Sequence, residues 1–194
     1  MGGCAKVTLE LDGVTFVGRA VRAALGGGAQ PPVLVVAGRE AEAVRAALGR
    51  DVPPAPNGGD RWRILVNPHP EKGIGGSLAL GADHAGGRDL MVLLADQPFV
   101  TADTIRRLLA VWERNPAVAA AALETPGGTW GPPVVINRSL LPAIGSLTGD
   151  QGARAVLQDM GDRVLRVQAV GDEGLDVDCV EDLARARARG MSDH

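Results

Sequence analysis

The spacing of apolar residues changes period several times along this chain, and each change marks an element. Val33–Ala37 is an unbroken, mostly β-branched run and predicts a buried strand. Residues 40–48 follow with Ala43, Val44, Ala47 and Leu48 on one helical face. Residues 64–66 and 90–95 are two more short apolar runs, each leading through a loop into a helical stretch, over residues 76–84 and 101–115. In the second stretch Thr101 stands as a predicted N-cap ahead of Ile105, Leu108, Leu109 and Trp112 at helical spacing. Short apolar strands alternating with helices predict an α/β fold of three layers, a mostly parallel Rossmann-like sheet with helices on both faces.

Beyond Asn115 the pattern shortens. Residues 117–123 and 133–137 predict strands around a turn-rich insert, Thr125-Pro126-Gly127-Gly128-Thr129-Trp130-Gly131-Pro132. A helix over 149–160, a strand over 164–169, a short strand over 175–178 and a last helix over 180–189 complete the prediction. Near the start, Val7, Leu9 and Leu11 alternate as strand residues do, and Gly26–Gly28 reads as a turn. With no internal repeat and only a Pro- and Gly-rich loop over residues 51–59, the whole of residues 1–194 is expected to form one domain.

Composition narrows the function. Tyr is absent and aromatics make up 3% of the chain, too few for the stacking platforms that bind single-stranded nucleic acid. A net charge of −3 supplies no basic surface for DNA or an anionic membrane. No apolar run approaches the ~18 residues of a membrane span. Cys4 and Cys179 form neither a disulfide framework nor a zinc pattern, and His69, His84 and His194 lack metal-ligand spacing. The expectation is a soluble, cytoplasmic protein without nucleic-acid or membrane partners.

The chemistry is expected at strand ends, because ligands of open parallel sheets bind beyond the carboxyl ends of the strands. Leu94-Ala95-Asp96-Gln97-Pro98 puts Asp96 directly after the most apolar predicted strand. It is either a loop-fixing carboxylate or one that holds a cation, since an unpaired buried charge is costly. Asp176-Val177-Asp178 puts two acids on one side of a short strand, with Asp178 also placed to cap the helix that follows. Asp96 and Asp178 together, with no Cys or His ligand pattern nearby, suit a hard oxygen-liganded cation such as Mg²⁺. Asn67 through Leu78 runs from a strand through a glycine-rich loop, Gly73-Ile74-Gly75-Gly76-Ser77, into a helix, an arrangement suited to an anion or a polar base edge. Gly149-Asp150-Gln151-Gly152-Ala153-Arg154 sets Arg154 in a first helical turn. A cation is unfavourable there unless an anionic ligand, or a salt bridge to Asp150 or Asp159, compensates.

These segments, in this order, resemble the MobA-like nucleotidyltransferases, and most closely their molybdenum cofactor cytidylyltransferase branch. The matching pieces are Met1-Gly2…Lys6…Asp12-Gly13, Asn67…Gly73…Ser77-Leu78…Gly81, Leu94 through Val100, Gly131-Pro132-Pro133-Val134, Gly149 through Arg154, and Asp176-Val177-Asp178…Asp182-Leu183. The resemblance implies the nucleotide-diphospho-sugar transferase type of fold. It also implies transfer of CMP or GMP from CTP or GTP to a terminal phosphate of a cofactor precursor such as molybdopterin, with release of pyrophosphate. Carried over by residue, Asp96 and Asp178 hold Mg²⁺, and Lys6 with Asp96 forms the catalytic pair. Asn67, Gly75, Gly76 and Ser77 line the nucleotide pocket, and Asp150 and Arg154 face the acceptor. Two departures stand out. The family places a buried strand and a Leu-Ala-Ala-Gly-x-Gly-x-Arg type loop ahead of the Met-Gly at which this sequence starts. The resemblance therefore implies a chain truncated at its N-terminus, with a sheet position between Val33–Ala37 and residues 90–95 left unfilled. The other departure is Pro132, which stands where the cytidylyltransferase branch has His. A second reading of the same residues is a non-catalytic nucleotide-binding or accessory protein that keeps the fold and lacks the triphosphate loop. A nicotinamide-binding domain is disfavoured, because no strand is followed by Gly-x-Gly-x-x-Gly.

Overall fold

The structure, a computed structural model, describes residues 6–177. It begins with a turn of 3₁₀ helix, Lys6–Thr8, and a small antiparallel hairpin of β1 (Glu10–Leu11) and β2 (Val14–Thr15). Asp12 and Gly13 at its tip both have positive φ, the conformation that an Asp-Gly pair adopts most easily in a two-residue hairpin turn. The alternation of Val7, Leu9 and Leu11 is therefore spent on a 3₁₀ turn and a hairpin, not on one extended strand. Helix α1 (Phe16–Gly27) follows. Thr15 caps it by accepting a hydrogen bond from the Gly18 amide, and Gly28, at φ 110°, closes its other end. Its buried stripe, Val17, Val21 and Ala24, recurs at helical spacing.

Two sheets carry the rest. β3 (Val33–Ala37) and β4 (Trp62–Val66) pair in parallel, with α2 (Ala41–Asp51) as their crossover. β5 (Leu90–Val92), β6 (Ala120–Glu124), β7 (Trp130–Ile136) and β8 (Val164–Gln168) form a four-stranded sheet in the order β5-β7-β6-β8. β7 is antiparallel to both its neighbours and β6 is parallel to β8, so β7 is the one reversed strand of that sheet. Among the described residues no strand pairs β3 with β5.

Helices cover both faces. Ala120, Ala122, Val134, Ile136 and Val164 bury one face under α3 (Ile74–Asp83), α5 (Leu141–Gly145) and α6 (Arg154–Leu157), through Ala82, Ile144 and Leu157. Ala121, Val135 and Val167, the alternate positions, bury the other face under Leu108 and Trp112 of α4 (Ala102–Glu113). Val17 and Val21 of α1 and Val44 and Leu48 of α2 pack with Ala37, Val33 and Val35 of β3.

Several predicted elements are redrawn. The strand expected over 90–95 ends at Val92, and 93–98 is already a loop turning toward Pro98. The helix expected over 149–160 contracts to α6 and a 3₁₀ stretch. Gly149 is left-handed at φ 60°, and Gly161 breaks the 3₁₀ run with φ 53°. Residues 175–177 are not a strand, although the Val177 amide donates to the Asp96 carbonyl at 2.9 Å. The helix expected over 180–189, together with Cys4, Cys179 and Asp178, lies outside the described residues. No helix among the described residues is long and apolar enough to cross a membrane.

Candidate active site

Lys6 and Asp96 meet beyond the end of β5, and Asn67 stands directly after β4. Lys6 Nζ donates to Asp96 Oδ2 at 2.8 Å across 90 residues of sequence. The pair is about 30% exposed, so it is neither a solvated surface contact nor a sealed one. Asp96 Oδ1 is buried and accepts no hydrogen bond. Beside it Gln97, 6% exposed, donates from Nε2 to Asp176 Oδ1 at 3.0 Å and leaves its own Oε1 buried without a donor. Two adjacent unmet oxygen acceptors are unusual, because each costs about 1–3 kcal/mol when left unpaired. Oxygen donors of this kind suit a hard divalent cation. Among the described residues no three His, Cys, Asp or Glu side chains cluster to hold a metal. Mg²⁺ takes one or two carboxylates and completes its shell with substrate phosphates and water.

The glycine-rich segment, Gly73 and the first turn of α3, follows β4. Asn67, 6% exposed, is committed to holding it: Nδ2 donates to Ser77 Oγ at 3.1 Å, and Oδ1 accepts from the His69 amide at 2.9 Å. Gly76 lies against the Asn67 amide, so Asn67, Gly76 and Ser77 are contiguous. Gly75 turns the other way. Its N–H donates to the Gly149 carbonyl at 2.9 Å, and a Cβ there would come within 2.8 Å of the Thr148 backbone. A Cβ at Gly73, which has φ 85°, would come closer still, 2.4 Å from the Gly149 carbonyl oxygen and 2.5 Å from Asp150 Oδ1. The first turn of α3, which carries Gly75, and the loop carrying Asp150 are thus locked together backbone to backbone.

Arg154, the first residue of α6, makes no ion pair with Asp150 or Asp159. Its guanidinium lies 5.1 Å from the Trp130 ring centroid, and Arg166 lies 4.0 Å from the same ring. An apolar cavity of about 170 Å³ opens here, walled by Ile74, Leu78, Val92, Leu94, Trp130 and Pro132, with Arg154 in its lining.

Two buried acids are invisible to motif reasoning because their partners are far away in sequence. Asp51, 3% exposed at the end of α2, accepts from the Thr15 amide and hydroxyl and from Arg50 Nε. Burial pushes its carboxyl up, but these bonds outweigh burial and hold it below the usual carboxylate value. Gly18 has no alternative here, since a Cβ would stand 2.5 Å from Asp51 Oδ2. Glu173, 9% exposed, accepts from Thr104, Arg107 and the Val170 amide. Burial again opposes ionisation, and again the bonds from Arg107, Thr104 and Val170 more than offset it, leaving the carboxyl below its ordinary value.

A three-layer α/β sheet with one reversed strand, and with acid and glycine-rich loop at strand ends, is the Rossmann-like fold of the nucleotide-diphospho-sugar transferases. Residues 1–164 match the MobA-like NTP transferase domain, and the chain belongs to that family. It is 33% identical over 101 residues to the purine catabolism protein PucB of Bacillus subtilis (strain 168), an alignment covering 50% of this chain and 47% of PucB. The chain therefore spans about half the length of that curated relative in the matched region. Rv0371c from Mycobacterium tuberculosis H37Rv, solved in complex with manganese, superimposes with a TM-score of 0.72 at 24% identity, over 95% of this chain and 92% of that one. A nucleotidyl transferase from Methanothermobacter gives a TM-score of 0.74 at 24% identity, over 97% and 86%. At these identities the two structures speak for the fold.

Proposed function

We propose that this chain works as one cytoplasmic domain that transfers CMP or GMP from CTP or GTP to a terminal phosphate of a cofactor precursor such as molybdopterin. The observation that carries the reading is the Lys6–Asp96 contact at 2.8 Å, with the second Asp96 oxygen buried and unmet. An oxygen of the acceptor phosphate attacks the α-phosphorus of the nucleotide, the bond to the bridging β-phosphate oxygen breaks, and pyrophosphate leaves. Such a reaction needs alignment of two anions and relief of their repulsion more than it needs covalent help from the protein. Lys6 supplies a fixed positive charge one hydrogen bond from the acid, against the triphosphate and the departing pyrophosphate. Asn67, Gly76 and Ser77 offer a preorganised polar edge to the base, and Gly75 fixes that edge against the 148–150 loop. Mg²⁺, which Asp96 and Asp178 would hold, would supply charge neutralisation of the phosphates.

On the acceptor side, Arg154 presents a planar cation suited to a phosphate, beside an apolar cavity walled by Trp130. An acceptor with a flat, weakly polar body and a terminal phosphate matches both parts, and Asp150 borders the same loop. Incubation with molybdopterin, Mg²⁺ and each of CTP and GTP tests the reading. The expected result is a nucleotidylated product and one pyrophosphate per transfer. Tight nucleotide binding without pyrophosphate release would favour the non-catalytic accessory reading.

A further inference from the structure

Residues 96–107 and 170–177 close a ring of contacts that the reaction itself does not require. At one end, Val177 donates its amide to the Asp96 carbonyl at 2.9 Å, and Gln97 donates to Asp176 at 3.0 Å. The Val177 side chain is fully buried against Leu11 and Phe16, which prevents the segment from swinging outward. At the other end, Glu173 is gripped by α4. Thr104 Oγ1 donates to its Oε1 at 2.5 Å, and Arg107 forks onto both oxygens at 3.2 and 2.5 Å. The Val170 amide completes the set at 2.9 Å. Thr104 is no casual partner, since it is fully buried and forms the capping box of α4 with Thr101. The stretch that leaves β5 with Asp96 thus returns, one helical turn into α4, to hold the segment that carries Asp176 and runs in sequence to Asp178.

Resting on the nucleotidyltransferase reading, we propose that Glu173 is a positioning residue, which sets the Asp176 segment against Asp96 and so defines the cation-binding edge of the site. A merely structural clamp would have no need to share its anchor helix with the catalytic loop. Here the distance from Asp96 to the segment is fixed by bonds at both ends, and Glu173 supplies the charged one. Groups bonded directly to a metal ligand are worth roughly 10–100-fold in metal affinity, and Glu173 acts one contact further out, which sets the lower end of that range as the expectation.

The test uses the full chain and Mn²⁺ alone, followed by the electron paramagnetic resonance of the free ion, with thermal melting alongside. Glu173→Gln keeps the volume and breaks the fork; it is expected to weaken Mn²⁺ binding about tenfold. Arg107→Lys keeps the charge and loses the bidentate geometry, and is expected to weaken it by a smaller factor while folding more securely. Asp51→Asn is the control, because it removes another buried acid, one that makes no hydrogen bond to the ring. It should lower the melting temperature and leave Mn²⁺ affinity unchanged. Wild-type affinity in both Glu173→Gln and Arg107→Lys would overturn the proposal while leaving the function standing. A wild-type chain that binds no Mn²⁺ and releases no pyrophosphate would overturn the functional reading, and this proposal with it.

Discussion

β6 lies between β7 and β8 with helices over both faces, and Ala120, Ala121 and Ala122 expose no surface at all. Among the described residues β3 pairs with β4 alone; Val33 and Val35 lie under α1 and α2 and Val36 faces Gly81 of α3, yet Val33, Leu34, Val35 and Val36 all remain half-buried. The more hydrophobic strand is thus the less buried one. Burial in this molecule follows the number of strand neighbours and the closeness of the helices, not the greasiness of the side chains. Alanine suits β6 because small side chains let α3 and α5 on one face, and α4 on the other, approach the sheet. The candidate site straddles the two halves: Asn67 and Ser77 follow from β4, whereas Asp96 follows from β5.

The largest test of that contrast is a pair of truncations. Ile136→Ala, at a fully buried position in the four-stranded sheet, should cost about 2–5 kcal/mol of unfolding free energy. Val35→Ala in β3 should cost about 1–2 kcal/mol, the transfer value of the lost methyl groups reduced by partial exposure. Denaturant titration measures both, and equal losses would break the comparison.

Next is Gly75→Ala, which acts at the seam between the first turn of α3 and the 148–150 loop. Its Cβ would meet Thr148 backbone at 2.8 Å, which no side-chain rearrangement relieves. Overpacking of this sort costs about 1–3 kcal/mol. Gly76→Ala, next in sequence, has its nearest contact at 3.8 Å and should cost far less. Melting curves of the two variants separate a strained seam from a general intolerance of side chains in the loop.

A smaller effect comes from acid. Asp51 in the first half and Glu173 in the second both have depressed carboxyl pKa values in the folded state. Each therefore contributes stability that is complete above its unfolded value, about 3.9 for Asp and 4.3 for Glu, and is lost as pH falls through the folded value. The melting temperature should fall below about pH 4. Asp51→Asn and Glu173→Gln should each lower it at neutral pH and flatten the acid decline. A decline as steep in the double variant as in the wild type would assign the acid sensitivity elsewhere.

Much of this architecture is legible in the residues, and the exceptions have physical causes. The strand at Val33–Ala37, the helix behind it and α4 with its Thr101 cap announce themselves through short-range periodicity and capping chemistry. The pattern reading assigns nothing to α1, although Thr15, the Val17–Val21–Ala24 spacing and Gly28 are all signals of it. An Ala- and Gly-rich helix offers weak hydrophobic contrast beside the β-branched run that follows. The glycine loop and the Asp96 loop are visible as motifs. Asp51, Glu173 and the Gln97–Asp176 bond are not, because they join residues 36 to 79 positions apart and no local pattern records such pairings. The same blindness applies to Arg154, whose partner is the Trp130 ring and not a nearby acid.

The proposed chemistry turns on Asp96, and Asp96→Asn tests it most directly. The substitution keeps the volume and removes the charge, and a partly exposed ion pair contributes at most about 1 kcal/mol to stability. The melting temperature should therefore shift by no more than about 4 °C. Pyrophosphate release from CTP or GTP at limiting Mg²⁺ should fall at least about 100-fold, the scale of losing a preorganised charge at a phosphoryl centre. Turnover near the wild-type value under the same conditions would contradict the account and reduce Asp96 to a residue that shapes a loop.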